Sequence, residues 1–365
     1  MIILSICSIL LLLCIVKPKS KLTFVTLLGL MWIIMTFITG NADESVYLSR
    51  YKNASEWTLN TELLFQLLNT ICNKVGFSFV QYKGVLALII LTLIGTTIWK
   101  FSKFPNIVLL FYFICPFPLN VSQLRFALAS AIFIWSYRYL LDEENKTIKL
   151  FGRNFSFNSI KYVLSIVLAS LIHSVAIIWL MLYLVKKLNL KQTIVVTILA
   201  NIYIYFFFKP SYINWLLIKL GAYSRMSSYF SVAYQNSEYR HYSLTTITLI
   251  FIVGIFIICC LLCDKRNKSI ETNQIEMLLK FNISSLSMLA FIIRFTSEMY
   301  RPQEALMVLN YIILTNQYRN KKILISKGQK NEVMFKSLLF FVVVVAFIMK
   351  IVLFNYDTVL KPMFF

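Results

Sequence analysis

A few charged side chains stand out in this sequence because they interrupt or border long apolar runs. Asp43 and Glu44 are adjacent and Arg50 follows them. Arg125 opens one apolar run, His173 lies inside another, Arg294 closes a third and Arg301 precedes a fourth. Arg225, Arg240 and His241 fall in a Tyr-rich segment. An arginine is permanently charged and grips an oxyanion through two parallel N–H bonds. A carboxylate or an imidazole can take a proton from an attacking hydroxyl. These types therefore suit anion binding coupled to general-base chemistry. Other chemistries have no such support. Cys259, Cys260 and Cys263 end an apolar run with no His nearby, and the seven cysteines outline neither a zinc site nor a disulfide framework. The chain has no G-x-x-x-x-G-K phosphate loop and no Asp-x-Asp pair for a metal-held nucleotide sugar. No cofactor and no metal is expected.

The elements that must position these residues are membrane helices. Hydrophobic residues make up 59% of the chain and charged ones 14%, with mean hydropathy +0.74. A soluble domain would carry about a quarter charged residues. Apolar runs fall at about 1–16, 22–40, 84–99, 104–117, 119–141, 160–185, 192–208, 243–263, 277–293, 303–318 and 334–354. Several approach the roughly 20 residues that a span needs. Backbone groups in hydrocarbon must be satisfied within the segment, which makes these runs helices. A single all-α integral membrane domain over 1–365 is expected, with about 11–12 helical segments and outer loops at 41–83 and 209–242. The net charge of +21 does not indicate a nucleic-acid partner, because the basic residues sit in short loops where positive-inside charge belongs. The segment 59–75 carries Leu59, Leu63, Leu67, Leu68 and Ile71 at helical spacing, as a helix lying on the outer leaflet would.

Loop charges set the orientation. Lys17, Lys19 and Lys21 follow the first apolar run, which places the N-terminus outside and these lysines inside. Lys100 and Lys103 then fall inside, Pro116 to Asn120 outside and Arg138 to Lys161 inside. If 160–185 crossed once, Lys186, Lys187, Lys191 and the later basic loops would all land outside. If it enters and turns back near His173, roughly two thirds of the Lys and Arg residues land inside, as the rule demands. Two short helices are therefore expected, about 160–172 and 174–185, forming a re-entrant pair with a polar cavity around His173. On this topology Asp43, Glu44, Arg50, Arg125, His173, Arg225, Arg294 and Arg301 share the outer face.

The segment NADESVYLSRYKNASEW resembles the first outer loop of the EpsG-type polysaccharide polymerases, relatives of the Wzy O-antigen polymerases. Four further segments agree in order. SQLRFALASAIF resembles the family's Arg-initiated helix, LASLIHSVAIIWLMLYLV its His-Ser-x-Ala helix, and YSRMSSYF its basic-aromatic segment. The stretch from Arg301 into ALMVLNYIILT resembles its late Arg-bearing helix. Two segments depart from the family pattern. Asn41-Ala42-Asp43-Glu44 stands where Gly-x-Asp-Tyr is common, and Arg125-Phe126-Ala127-Leu128-Ala129 where Arg-Gln-x-x-Ala is usual.

The resemblance implies a bundle like those of GT-C-type lipid-linked sugar transferases, in the bacterial inner membrane, with its active face periplasmic. It implies a glycosyltransferase that joins undecaprenyl-pyrophosphate-linked oligosaccharide repeats into O-antigen, capsule or exopolysaccharide. Donor and acceptor are both lipid-linked, and a chain-length regulator and a flippase are the implied protein partners. A hydroxyl of one repeat attacks the anomeric carbon of the other, and an anionic pyrophosphate leaves. The resemblance assigns catalysis to Asp43, Glu44, His173 and Arg125, and pyrophosphate binding to Arg50, Arg125, Arg225 and Arg301.

Each residue also has a plainer reading. Arg125 can snorkel to headgroups, and His173 can cap the turn between half-helices. Asp43 and Glu44 can end a solvated loop, Arg225 can anchor at the interface, and Arg301 can simply start a helix. A transporter or flippase of the same lipids needs a charged cavity too, but should show a second broken segment in a matching repeat. A membrane acyltransferase using His173 lacks its other motifs here.

Overall fold

The computed structural model describes residues 2–41, 43–54, 62–141, 147–150, 153–209, 211–212, 245–257, 270–295, 297–317, 343–345, 348, 352 and 356–364. The chain is an all-α membrane bundle. The strands among the described residues form one small antiparallel hairpin, β1 (Thr147–Leu150) with β2 (Arg153–Ser156). Phe79–Phe101, Leu190–Phe207 and Asn273–Arg294 are long and apolar enough to cross a bilayer, and shorter apolar helices accompany them. The chain divides into two compact units. One holds Met1–Trp57, Leu64–Trp135 and Ala305–Phe365, and the other holds Thr58–Leu63 and Ser136–Glu304.

In the first unit, α2 (Lys21–Phe37) packs along α5 (Phe79–Phe101). Two glycines on α5 allow this approach. A Cβ at Gly95 would lie 2.9 Å from a Leu28 methyl, and one at Gly84 would lie 3.3 Å from Thr36. The Trp32 indole donates to the Gly84 carbonyl at 2.9 Å. Asn106, fully buried at the start of α6 (Pro105–Ile114), donates to the carbonyls of Lys17 and Ser20 and so pins the turn between α1 (Ile2–Val16) and α2. α5 starts at Phe79, five residues before the apolar run at 84, because Ser78 and Gln81 form a reciprocal cap that pulls the helix start back. Lys83 is thereby a helical, buried residue and not a loop lysine.

The run 119–141 is not one helix. It divides into α7 (Phe117–Ser122), α8 (Leu124–Ser136) and α9 (Arg138–Leu141), and the turn expected at Pro116–Asn120 is mostly buried helix. The segment after Lys52 supplies α4 (Leu63–Lys74), which carries apolar residues on both faces. Phe65, Asn69 and Cys72 face inward, while Leu63, Leu67, Ile71 and Val75 are exposed. Thr70 and Asn73 bond to the carbonyls of Ala54 and Tyr51. An exposed row of large apolar side chains on a helix is stable against lipid and costly in water. This agrees with the interfacial helix expected at 59–75.

In the second unit, the run 160–185 breaks where the loop charges required. α10 (Phe157–Ser170) ends in a turn at Leu171–Ile172, His173 is extended, and a 3-10 helix (Ser174–Trp179) leads into α11 (Leu180–Lys187). The Tyr162 hydroxyl donates to the Trp179 carbonyl at 2.7 Å, and α10 packs against both the 3-10 helix and α11. Those contacts fold the second arm back on the first, so the chain doubles back at His173. α12 (Leu190–Ile202, with a π-helical turn Tyr203–Phe207) lies beside α14 (Ile270–Ser285) and α15 (Leu289–Arg294), in the same direction. α13 is Thr245–Ile257. Asn201 bonds the Leu286 carbonyl and the Ala290 amide, at 2.9 and 3.0 Å. Lys280 donates to Leu188's carbonyl at 2.9 Å, closing the end of α11. α16 (Arg301–Gln317) begins in this unit.

Candidate functional site

His173 takes its position from the broken helix. Its N–H still donates to the Ala169 carbonyl of α10, and its carbonyl accepts from Ala176 in the 3-10 turn, both at 2.9 Å. With φ −146° and ψ 117° it bridges two helices whose axes reverse. The imidazole is therefore held at the tip of a hairpin with its backbone satisfied on both sides.

Two side chains meet the ring. Glu62, just ahead of α4, places Oε1 3.2 Å from Nδ1, and Arg301, the first residue of α16, places Nη1 3.3 Å from Nε2. The Nδ1–Oε1 contact is an ion-pair approach that does not meet hydrogen-bond geometry. Glu62 is 7% exposed and His173 8%, and Arg301 is half-buried. A guanidinium has only donors. With Arg301 donating, Nε2 accepts and the ring proton sits on Nδ1, the nitrogen that faces the Glu62 carboxylate at 3.2 Å. The result is a carboxylate, a neutral imidazole and a guanidinium in line. The two full charges offset one another across the ring, which makes burial of the set tolerable.

The first unit holds the other candidates. Glu44 starts α3 (Glu44–Lys52), and both its oxygens are engaged by the framework. Oε1 lies 3.2 Å from Lys83 Nζ, and Oε2 accepts from the Gly40 amide. Gly40 has φ +82°, a turn that glycine adopts without strain. Lys83 also donates to the Ile38 carbonyl at 2.5 Å. Glu44 and Lys83 thus hold the α2–α3 turn to α5.

Asp43 precedes α3 but its carboxylate does not cap that helix. It acts on Tyr47, as does Arg125, whose guanidinium lies 5.5 Å from the Tyr47 ring centroid. Burial pushes the Tyr47 phenol up, Arg125 opposes the shift and Asp43 reinforces it. Arg125 is the second residue of α8, at a helix N-terminus, where backbone amides favour an anion. Arg50 is half-buried in the last turn of α3. Arg225, together with Arg240, His241 and the cysteines at 259, 260 and 263, lies outside the described residues.

Arg294, placed with the outer ionisable set by the loop charges, has a backbone task. Its Nη1 donates to the carbonyls of Ile204, Tyr205 and Phe208 at 2.9, 2.8 and 2.9 Å, closing the π-helical end of α12.

His173 and Arg301 were both legible as candidates, and the structure brings them together. Glu62, Lys83 and Tyr47 were not singled out. Glu62 reads in sequence as an acidic residue before a helix, with nothing to point to an imidazole far along the chain. Lys83 carried one signal, a lysine inside a helix that begins earlier than its apolar run.

The profile of the EpsG family matches residues 21–361, nearly the whole chain. The chain belongs to the EpsG family. That is a family of Wzy-like polysaccharide polymerases, so this chain is an integral membrane protein of polysaccharide biosynthesis and a polymerase-like glycosyltransferase. Nothing among curated proteins or solved structures matches it. In this EpsG-family chain the family-like segments around His173 and Arg301 touch, and so do those around Tyr47 and Arg125.

Proposed function

We propose that this chain joins polyprenyl-pyrophosphate-linked oligosaccharide repeats into a polymer, with undecaprenyl pyrophosphate as the leaving group, on the outer face of the cytoplasmic membrane. The observation that carries this reading is the Arg301–His173 contact at the tip of a helix hairpin. An oriented guanidinium suits a pyrophosphate, and a neutral imidazole with an unprotonated Nε2 suits a base.

The step balances as follows. The bond between the anomeric carbon and the pyrophosphate oxygen breaks, and the electron pair leaves with the phosphate. The hydroxyl of the second lipid-linked repeat forms the new glycosidic bond, and its proton passes to Nε2 of His173. Arg301 occupies Nε2 while no anion is present. A pyrophosphate that draws the guanidinium onto itself uncovers the base and neutralises the developing leaving-group charge in one movement. The donor is already activated on lipid, so the step calls for neither a nucleotide loop nor a metal.

Deletion in the native host followed by a gel of surface glycan tests the reading. Single repeats in place of a ladder are expected. Loss of all surface repeats would overturn it in favour of a flippase.

A further inference from the structure

We infer that Glu62 is a positioning residue for this transfer: its carboxylate, 3.2 Å from Nδ1 of His173, favours the imidazole tautomer protonated there and leaves Nε2 as the acceptor that alternately holds Arg301 and the substrate proton. The inference rests on the reading of the site given above. It adds a residue that neither the family resemblance nor any apolar-run argument assigns.

Three observations carry it. Glu62 Oε1 and Arg301 Nη1 approach opposite nitrogens of one ring, at 3.2 and 3.3 Å. Glu62 is 7% exposed, and a carboxylate so buried is retained only against a donor or a positive charge. The chemistry of the other neighbour is one-sided, because a guanidinium never accepts. If the ring proton moved to Nε2, it would face Arg301 donor to donor, and Nδ1 would face Glu62 acceptor to acceptor. Both contacts would become repulsive at once. Glu62 therefore does more than fill space, since its charge selects one of two imidazole tautomers. That role matches the acid behind a catalytic histidine in hydrolases, where the carboxylate orients the ring without itself reacting.

The chain contains only two histidines. His241→Asn, which lies outside the proposed machinery, leaves a single imidazole to observe. Full-length protein carrying this change, labelled with 15N-histidine and held in lipid nanodiscs, should show one neutral ring protonated at Nδ1 and bare at Nε2. Glu62→Gln loses the charge and can donate as well as accept, so the Nε2-protonated form should become detectable even with Arg301 in place. Glu62→Asp should keep the parental tautomer.

Polymerisation is measured on the same samples. Glu62→Gln should lower kcat about 100-fold, the scale of a misplaced catalytic group. KM for the lipid-linked acceptor should change little, and Glu62→Asp should recover part of the rate. A parental ring protonated at Nε2, or a Glu62→Gln spectrum identical to the parent's, overturns the inference. Full polymerisation by Glu62→Gln overturns it too. In that case, loss of polymer in Arg301→Ala would leave the polymerase reading standing, and full polymer in both variants would remove the reading of this site as well.

Discussion

Two carboxylates in this chain, one half-buried and one buried, have similar sequence settings and opposite surroundings. Glu44 and Glu62 both precede or open short helices of the first outer segment. Glu44 meets an ammonium and a backbone amide, and its lysine partner ends on a backbone carbonyl. Glu62 meets an imidazole that ends on a guanidinium. The first set is tied to main chain at both ends, so its geometry is spent on holding a turn. The second set joins three side chains through the two nitrogens of one ring and includes a half-buried guanidinium. An ionic set closed by backbone stabilises a fold, whereas one that presents a guanidinium to an imidazole can exchange that contact for an anionic ligand.

The sharpest way to break this contrast is to remove the cation. Arg301→Ala should abolish ladder formation at matched membrane levels. Arg301→Lys, which keeps the charge and loses the fork, should retain only a small fraction of the activity. His173→Ala should follow with a loss of about 100-fold or more, as expected for a base. If His173→Ala still makes full polymer, catalysis belongs with Asp43 and Arg125 in the other unit, where Arg125→Ala would then be the silencing change and Arg125→Lys the impaired one. Arg125 tolerating both substitutions would leave it as a headgroup anchor.

Lys83→Met should act in the contrary direction. It removes the buried ammonium that ties the half-buried Glu44 and the Ile38 carbonyl to α5 and should cost about 1–3 kcal/mol of stability. The yield of folded protein should fall in a thermal-shift assay in detergent, while the activity per folded molecule stays near parental. Loss of specific activity at full yield would place the Glu44 set in the chemistry and erase the distinction. A smaller effect is expected at Gly95→Val, whose added carbons meet Leu28 across the α2–α5 contact. A cost of about 1–3 kcal/mol should appear as a lowered Tm, again with specific activity preserved.

Much of this arrangement is visible in the chain before any coordinates. The hairpin at 157–187 follows from lysines alone, because only a doubled-back segment keeps Lys186, Lys187 and Lys191 on the basic side, and the Tyr162–Trp179 pairing agrees with that. His173 and Arg301 stand out because ionisable groups beside apolar helices are expensive and need a reason. Labelling a cysteine at Asn189 from each side of the membrane checks the orientation; reaction from the cytoplasmic face is expected, and reaction from the outer face alone would contradict it.

What escaped notice was pairing. Charge and hydropathy say that Glu44 and Glu62 are both polar loop carboxylates, and nothing local distinguishes a lysine partner from a histidine one. Helix starts were also hidden where capping outranks hydropathy, as at Ser78–Gln81, and this moved Lys83 from loop to core. The break of 119–141 into three helices left Arg125 at a helix start, as its place ahead of the apolar stretch suggested.

The most direct measurement is polymerisation by purified full-length protein in nanodiscs, supplied with a polyprenyl-pyrophosphate-linked oligosaccharide, for the parent and Arg301→Ala side by side. The parent should convert single repeats into a ladder, and Arg301→Ala should leave them as single repeats while remaining folded. A ladder from Arg301→Ala equal to the parent's would contradict the assignment of transfer to the Glu62–His173–Arg301 set.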